Sequence, residues 1–211
     1  MTTDNRNPVF IDQKKGTGGT MDTHIEKSGS DLTRLIEKFQ QDNSEPLQLL
    51  ANSLVSIFTQ GGRLLIAATG NLQPIAQLTA SHFTHCLGFE RPTLPAITLG
   101  TDITLSTSLA HSGQSHLKLA RHFQALGSEN HLLLMFSDGS DDPALAELIN
   151  ISANGQPRAL FSPADNKIKN QRDCTDLHLC VETTSSPRLL EVSLFCGNLL
   201  CELVEADLFG V

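Results

Sequence analysis

The chain has no Trp and no Tyr, and ten Phe make up its whole aromatic content. Base-stacking platforms for nucleic acid are usually built from all three aromatics, so little of that equipment is present. Basic residues are also scarce, with 15 Lys and Arg against 23 Asp and Glu and a net charge of -8. Direct, sequence-independent binding to nucleic acid depends on neutralising phosphates, and this balance argues against it. No uncharged apolar run is long enough to cross a bilayer, and the N-terminus has no apolar signal core. A protein without direct nucleic-acid or membrane contact, in the cytoplasm, is therefore expected. The five cysteines, Cys86, Cys174, Cys180, Cys196 and Cys201, form an odd set without a Cys-x-x-Cys pair. That set fits reduced thiols better than a disulfide framework.

What is present is enough for one α/β domain: 211 residues, 39% of them apolar. Residues Met1 to Ser30 are polar and contain Gly16-Thr17-Gly18-Gly19, which predicts a flexible leader ahead of a domain spanning 31–211. A short amphipathic helix is predicted from Ser30 through Phe39, and a second one from Pro46 to the stop at Gly61-Gly62. Apolar runs at Leu64 to Ala68, Leu94 to Leu99, Leu132 to Phe136, Arg158 to Phe161 and Leu177 to Val181 read as strands buried on both faces. Helical segments near Pro74 to Leu87, Ile103 to Ala110, Leu117 to Leu126 and Pro143 to Ile151 lie between several of them. Alternation of this kind predicts a parallel sheet covered by helices on two sides. A last helix from Pro187 to about Ala206 is apolar around more than one stripe, which predicts burial in the core and in a subunit interface.

The segment Ser137-Asp138-Gly139-Ser140-Asp141-Asp142 carries the most chemical information. It joins a buried strand to a helix, the place where free amides and the helix dipole commonly hold a phosphate. Its three aspartates compete for those donors and oppose a phosphate by Coulomb repulsion. Asp138, Asp141 and Asp142 could instead hold Mg²⁺ or Ca²⁺, but carboxylates at a helix start are stabilised without metal. His82 and Cys86 stand at i,i+4 and could supply two zinc ligands; an ordinary helix face is the simpler reading. His111, His116 and His122 lack any acidic framing and are expected at the surface. No metal or cofactor is expected.

Glu90-Arg91-Pro92-Thr93-Leu94-Pro95-Ala96-Ile97, Thr101-Asp102, Arg188-Leu189-Leu190-Glu191, Asn198-Leu199-Leu200-Cys201-Glu202-Leu203 and Leu208-Phe209 occur in order. Together they resemble the SIS-domain group that contains phosphoheptose isomerases and the DnaA initiator-associating (DiaA-like) proteins, and they lie nearer the second branch. The resemblance implies a flavodoxin-like three-layer αβα sandwich with a five-stranded parallel sheet, and four chains associating through their terminal helices as a homotetramer. It places a phosphosugar pocket at Thr69, Gly70, Asn71, Ser137, Asp138, Ser140 and Asp142, with Leu72 where the isomerases carry a serine. The isomerases shuttle a proton with a Glu and a His, and the matching positions hold His82 and Asn198. Asn cannot titrate, so no catalytic residue is expected here. Leu208-Phe209 matches a pair that DiaA-like proteins use to bind the initiator DnaA. The expectation is a non-catalytic oligomeric platform for that initiator that keeps some carbohydrate binding. The alternative is an isomerase of sedoheptulose 7-phosphate, or a sensor of a sugar phosphate.

Overall fold

The computed structural model describes residues 18–127, 130–153, 155–165 and 175–210. Residues 1–17 and Cys174 lie outside them, so the leader and that cysteine have no structural account. The chain begins with α1 (Gly18–Thr59), then β1 (Arg63–Ala68), α2 (Gln73–Thr84), β2 (Ala96–Thr98), α3 (Ile103–His111) and α4 (Lys118–Leu126). β3 (His131–Phe136), α5 (Pro143–Ile151), β4 (Arg158–Pro163), β5 (Leu177–Val181) and α6 (Ser186–Phe209) follow. The strands form one five-stranded sheet in the order β2-β1-β3-β4-β5, and every pairing is parallel. This is the expected flavodoxin-like αβα sandwich.

β1, β3 and β4 are buried on both faces because helices cover both, whereas the edge strands β2 and β5, expected to be buried likewise, are only partly buried. Leu64, Ile66 and Ala68 of β1 join a core with Leu50 and Leu54 of α1, Phe83 of α2 and Leu200 of α6. Leu65 and Ala67, pointing the other way, join Leu119 and Phe123 of α4 and Leu145 and Leu148 of α5. The single-residue alternation of side chains along a strand sorts the two cores.

Three expected boundaries are corrected. α1 starts at Gly18, so residues 18–30, expected as leader, are helical, although 20–30 are exposed. The two helices expected on either side of Pro46 are one continuous helix with the proline inside. An interior proline forfeits one backbone bond and costs about 3 kcal/mol. Burial of Leu47, Leu50 and Leu54, each worth roughly 1.5–3 kcal/mol, offsets that cost. The last helix runs three residues beyond Ala206 and ends at Phe209, where Gly210 adopts the left-handed conformation (φ 72°) that closes many helices.

Asn43 of α1 protects the sheet edge at β5. Its Nδ2 donates to Cys180 O at 2.9 Å and to Phe39 O at 2.8 Å, and its Oδ1 accepts from Cys180 N at 2.7 Å. A buried amide side chain thus takes the place of a neighbouring strand, satisfying a donor and an acceptor that an edge leaves open.

Candidate functional site

The strand order reverses between β1 and β3, and in open parallel sheets ligands bind beyond the carboxyl ends of the strands at such a point. Ala68 pairs with Phe136 there, so the loops that follow, Thr69–Leu72 and Ser137–Asp142, are neighbours. Thr69 Oγ1 accepts from Asp138 N at 3.0 Å and ties one loop to the other. Gly70 has φ 48°, and a Cβ at that position would lie 3.2 Å from Asp138 Oδ2. Both the turn and the neighbouring carboxylate therefore favour glycine. Asn71 is exposed on the short 3-10 turn, and Leu72 points into the core.

The second loop spends its own amides. Gly139 N donates to Ser137 Oγ at 3.1 Å, Ser140 N donates to Asp138 Oδ1 at 3.0 Å, and Asp142 N donates to Ser140 O at 3.0 Å. Asp142 caps α5 by accepting from Ala144 N at 2.7 Å and Leu145 N at 3.2 Å. The donors that a strand-to-helix turn offers to an anion are thus occupied by side chains and carbonyls of the loop. Hydrogen bonds link Thr69, Asp138, Ser140 and Asp142, with Gly70 and Ser137 in the same two loops.

Burial raises the proton affinity of Asp138, but hydrogen bonds from the Ser140 hydroxyl and amide, the Thr69 hydroxyl and its own amide outweigh it. The carboxyl therefore titrates below the ordinary aspartate value of 3.8. A depressed folded-state pKa contributes stability that is present above the unfolded value and is lost as pH falls through the folded one. Carboxyl NMR titration of a Ser140→Ala variant is expected to move the Asp138 midpoint upward. A midpoint unchanged by the loss of that hydroxyl would contradict this account.

A cleft of about 360 Å³ opens beside the second loop. Asp138, Gly139 and Ser140 form one wall, and Pro163, Asp165 and Thr183 to Ser186 form much of the rest, with Leu189 of α6. The wall residues after β4 and β5 were not singled out from sequence. The available signal was positional, because Pro163, Asp165, Thr183 and Thr184 lie at or just beyond the carboxyl ends of β4 and β5.

The two positions matched to a proton shuttle lie on helices that pack together. A Cβ at Gly197 of α6 would collide with Thr79 Oγ1 of α2, so the helices approach as closely as a glycine permits. His82 lies three residues beyond Thr79 on α2, and Asn198 follows Gly197 on α6; both are half-buried. Nδ1 of His82 is enclosed and has no hydrogen-bond partner. Cys86 lies outside α2, which ends at Thr84, so the expected i,i+4 helical pairing with His82 is not formed. Among the described residues, no group of three or more His, Cys, Asp or Glu is placed to hold a metal ion.

Of the three histidines expected at the surface, one departs. His111 and His116 are exposed, but His122 is half-buried and its Nδ1 accepts from Gly100 N at 2.9 Å. Burial pushes the Cys196 and Cys201 thiols up to about 12, which leaves them unreactive at neutral pH. Leu208 and Phe209, matched above to an initiator-binding pair, are part of the fold. They occupy the last turn of α6 and pack against the core, with the Phe209 ring edge-on to Phe89 at 5.9 Å.

No protein-family model matches the chain. It is 29% identical over 191 residues to the phosphoheptose isomerase of Burkholderia pseudomallei, an alignment covering 89% of this chain and 96% of that protein. The phosphoheptose isomerase structure from Neisseria gonorrhoeae superposes with a TM-score of 0.75 at 17% identity, covering 88% of this chain and 99% of that one. The Francisella tularensis phosphoheptose isomerase gives 0.72 at 21% identity, with 86% and 97% covered. These likenesses are to proteins named phosphoheptose isomerases, and the solved structures share the fold of this chain. They overturn the expectation of a non-catalytic initiator platform. That expectation rested on Asn198, His82 and a few short motifs, whereas the relatives named for isomerase activity align over nine-tenths of the chain.

Proposed function

We propose, from a likeness to phosphoheptose isomerases that spans nine-tenths of the chain, that this protein interconverts the ketose and aldose forms of a phosphorylated sugar. The observation that carries the proposal is the enclosed, unpartnered Nδ1 of His82 on α2, against α6. A buried polar atom without a partner costs about 1–3 kcal/mol, so the imidazole is kept for something other than stability.

Isomerisation moves a proton between adjacent carbons through an enediol. A base removes the proton next to the carbonyl, its conjugate acid returns one to the former carbonyl carbon, and the hydroxyl proton passes from one oxygen of the enediolate to the other. Imidazole can fill both roles near neutral pH, which assigns the transfer to His82 in place of the family's Glu. Asn198 cannot carry a proton, but its amide can donate to the oxygen that gains negative charge in the enediolate. Ser140, Thr183 and Ser186 in the cleft wall supply hydroxyls for the sugar, and Asp138 and Asp165 accept from its hydroxyl groups. α6 connects the two regions, with Leu189 in the cleft wall and Asn198 about 14 Å further along by the helical rise of about 1.5 Å per residue. Self-association belongs to the same proposal, since Leu199 and Leu203 of α6 remain partly exposed in the single chain.

The test is incubation with sedoheptulose 7-phosphate in D₂O, followed by NMR. Turnover on the order of 1 per second or faster is expected, with deuterium appearing at the carbons that exchange. The absence of both turnover and exchange would overturn the reading.

A further inference from the structure

We propose that Arg91 is a positioning residue for His82, holding the last turn of α2 against α6 so that the imidazole keeps one direction. The proposal rests on the reading of His82 as the proton carrier.

A helix ends with carbonyls that lack intrahelical partners, and at the end of α2 one guanidinium takes two of them. Arg91 Nη2 donates to His82 O at 2.8 Å, and Nη1 donates to Phe83 O at 2.9 Å and to Pro92 O at 3.0 Å. Its Nε donates to Glu205 Oε1 at 2.7 Å. Glu205 belongs to α6, and the same oxygen accepts from Leu87 N at 3.2 Å, in the segment that leaves α2. The rigid plane of the guanidinium thus joins the carbonyl of His82 to a carboxylate on the facing helix. The side chains are 0% and 5% exposed. Phe209 closes the cluster, its ring centroid 5.9 Å from Arg91 Cζ.

A buried ion pair is weak evidence for stability, because apolar residues of similar volume often serve as well. What an apolar pair cannot do is fix two carbonyls and a carboxylate in one plane. Lys cannot either, since its single ammonium has no planar fork. The backbone of His82 is one of the fixed points, and misplacement of a catalytic group by about 1 Å can cost about 10²-fold in rate.

Two variants test the proposal. Arg91→Lys keeps the charge and loses the fork, while Arg91→Met combined with Glu205→Leu keeps the volume and removes both charges. Each is checked for folding by thermal unfolding and then read by kcat, KM and the ¹⁵N resonances of the His82 imidazole. In a folded variant kcat is expected to fall by about 10- to 100-fold with KM within about twofold, and the His82 resonances are expected to move. Unchanged kcat and unchanged resonances in either folded variant would overturn the proposal. If the unmodified protein shows no turnover, the isomerase reading falls, and the His82 resonances still decide whether Arg91 sets the imidazole.

Discussion

Glu205→Ala is expected to lower the unfolding free energy by about 3–5 kcal/mol, the usual cost of stranding one member of a buried ion pair. Arg91 would keep its bonds to His82 O, Phe83 O and Pro92 O, but its charge would lie in a site with no exposed side-chain surface and no counter-ion. Leu87 N would lose its acceptor in the same step. The removed carboxylate also leaves a void beside Cys201, which adds to the loss. Urea unfolding at neutral pH measures the effect. Replacing both partners with Met and Leu is expected to recover most of it, because the stranded charge is then gone. A single-variant loss below about 1 kcal/mol would mean that water reaches the guanidinium and that the cluster is not closed.

The central strands were legible because each holds an unbroken apolar run, Leu64 to Ala68, Leu132 to Phe136 and Ala159 to Phe161, the pattern of burial on both faces. β2 has three residues, Ala96–Thr98, where the apolar pattern predicted a strand from Leu94 to Leu99. Leu94 and Leu99 are buried, so apolarity there marks the core beyond the ladder. Pro46 predicted a helix start, since local propensity sees the missing donor and not the long apolar stripe of α1 that overrides it. In the site, the loop at 137–142 was visible as a strand-to-helix turn full of acid. Its internal hydrogen bonds follow from short spacings, as with Ser140 and Asp138 two residues apart. Arg91 and Glu205 stand 114 positions apart, and nothing periodic or local links them. The same holds for Thr79 and Gly197, where a glycine inside an apolar helix carried no sign of the helix it would touch. Asn198 misled for a different reason. A residue that cannot titrate argues against one step of catalysis, and it says nothing about what a neighbour on the facing helix could do.

His82→Leu is expected to reduce kcat by about 10²- to 10⁴-fold, the range for losing a positioned general acid or base, while leaving the protein at least as stable. The two effects have one origin. Nδ1 of His82 is enclosed without a partner, so the folded chain bears a desolvation cost that no protein hydrogen bond offsets. Leu has similar bulk and no polar atom, and it retains the backbone carbonyl that Arg91 holds. Removal of the imidazole is therefore expected to change the unfolding free energy by between zero and about +1 kcal/mol, as stabilising changes at functional sites often do at the expense of activity. Steady-state kinetics with sedoheptulose 7-phosphate and urea unfolding of the same preparations measure both quantities. His82→Gln separates the roles further, because its amide can hydrogen-bond the substrate but cannot take a proton. If Gln restores turnover to the unmodified level, His82 binds the sugar and another group moves the proton. If Leu destabilises the fold by 2 kcal/mol or more, about the full cost of an unmade buried hydrogen bond, then Nδ1 has a partner in solution and the imidazole is kept for the fold.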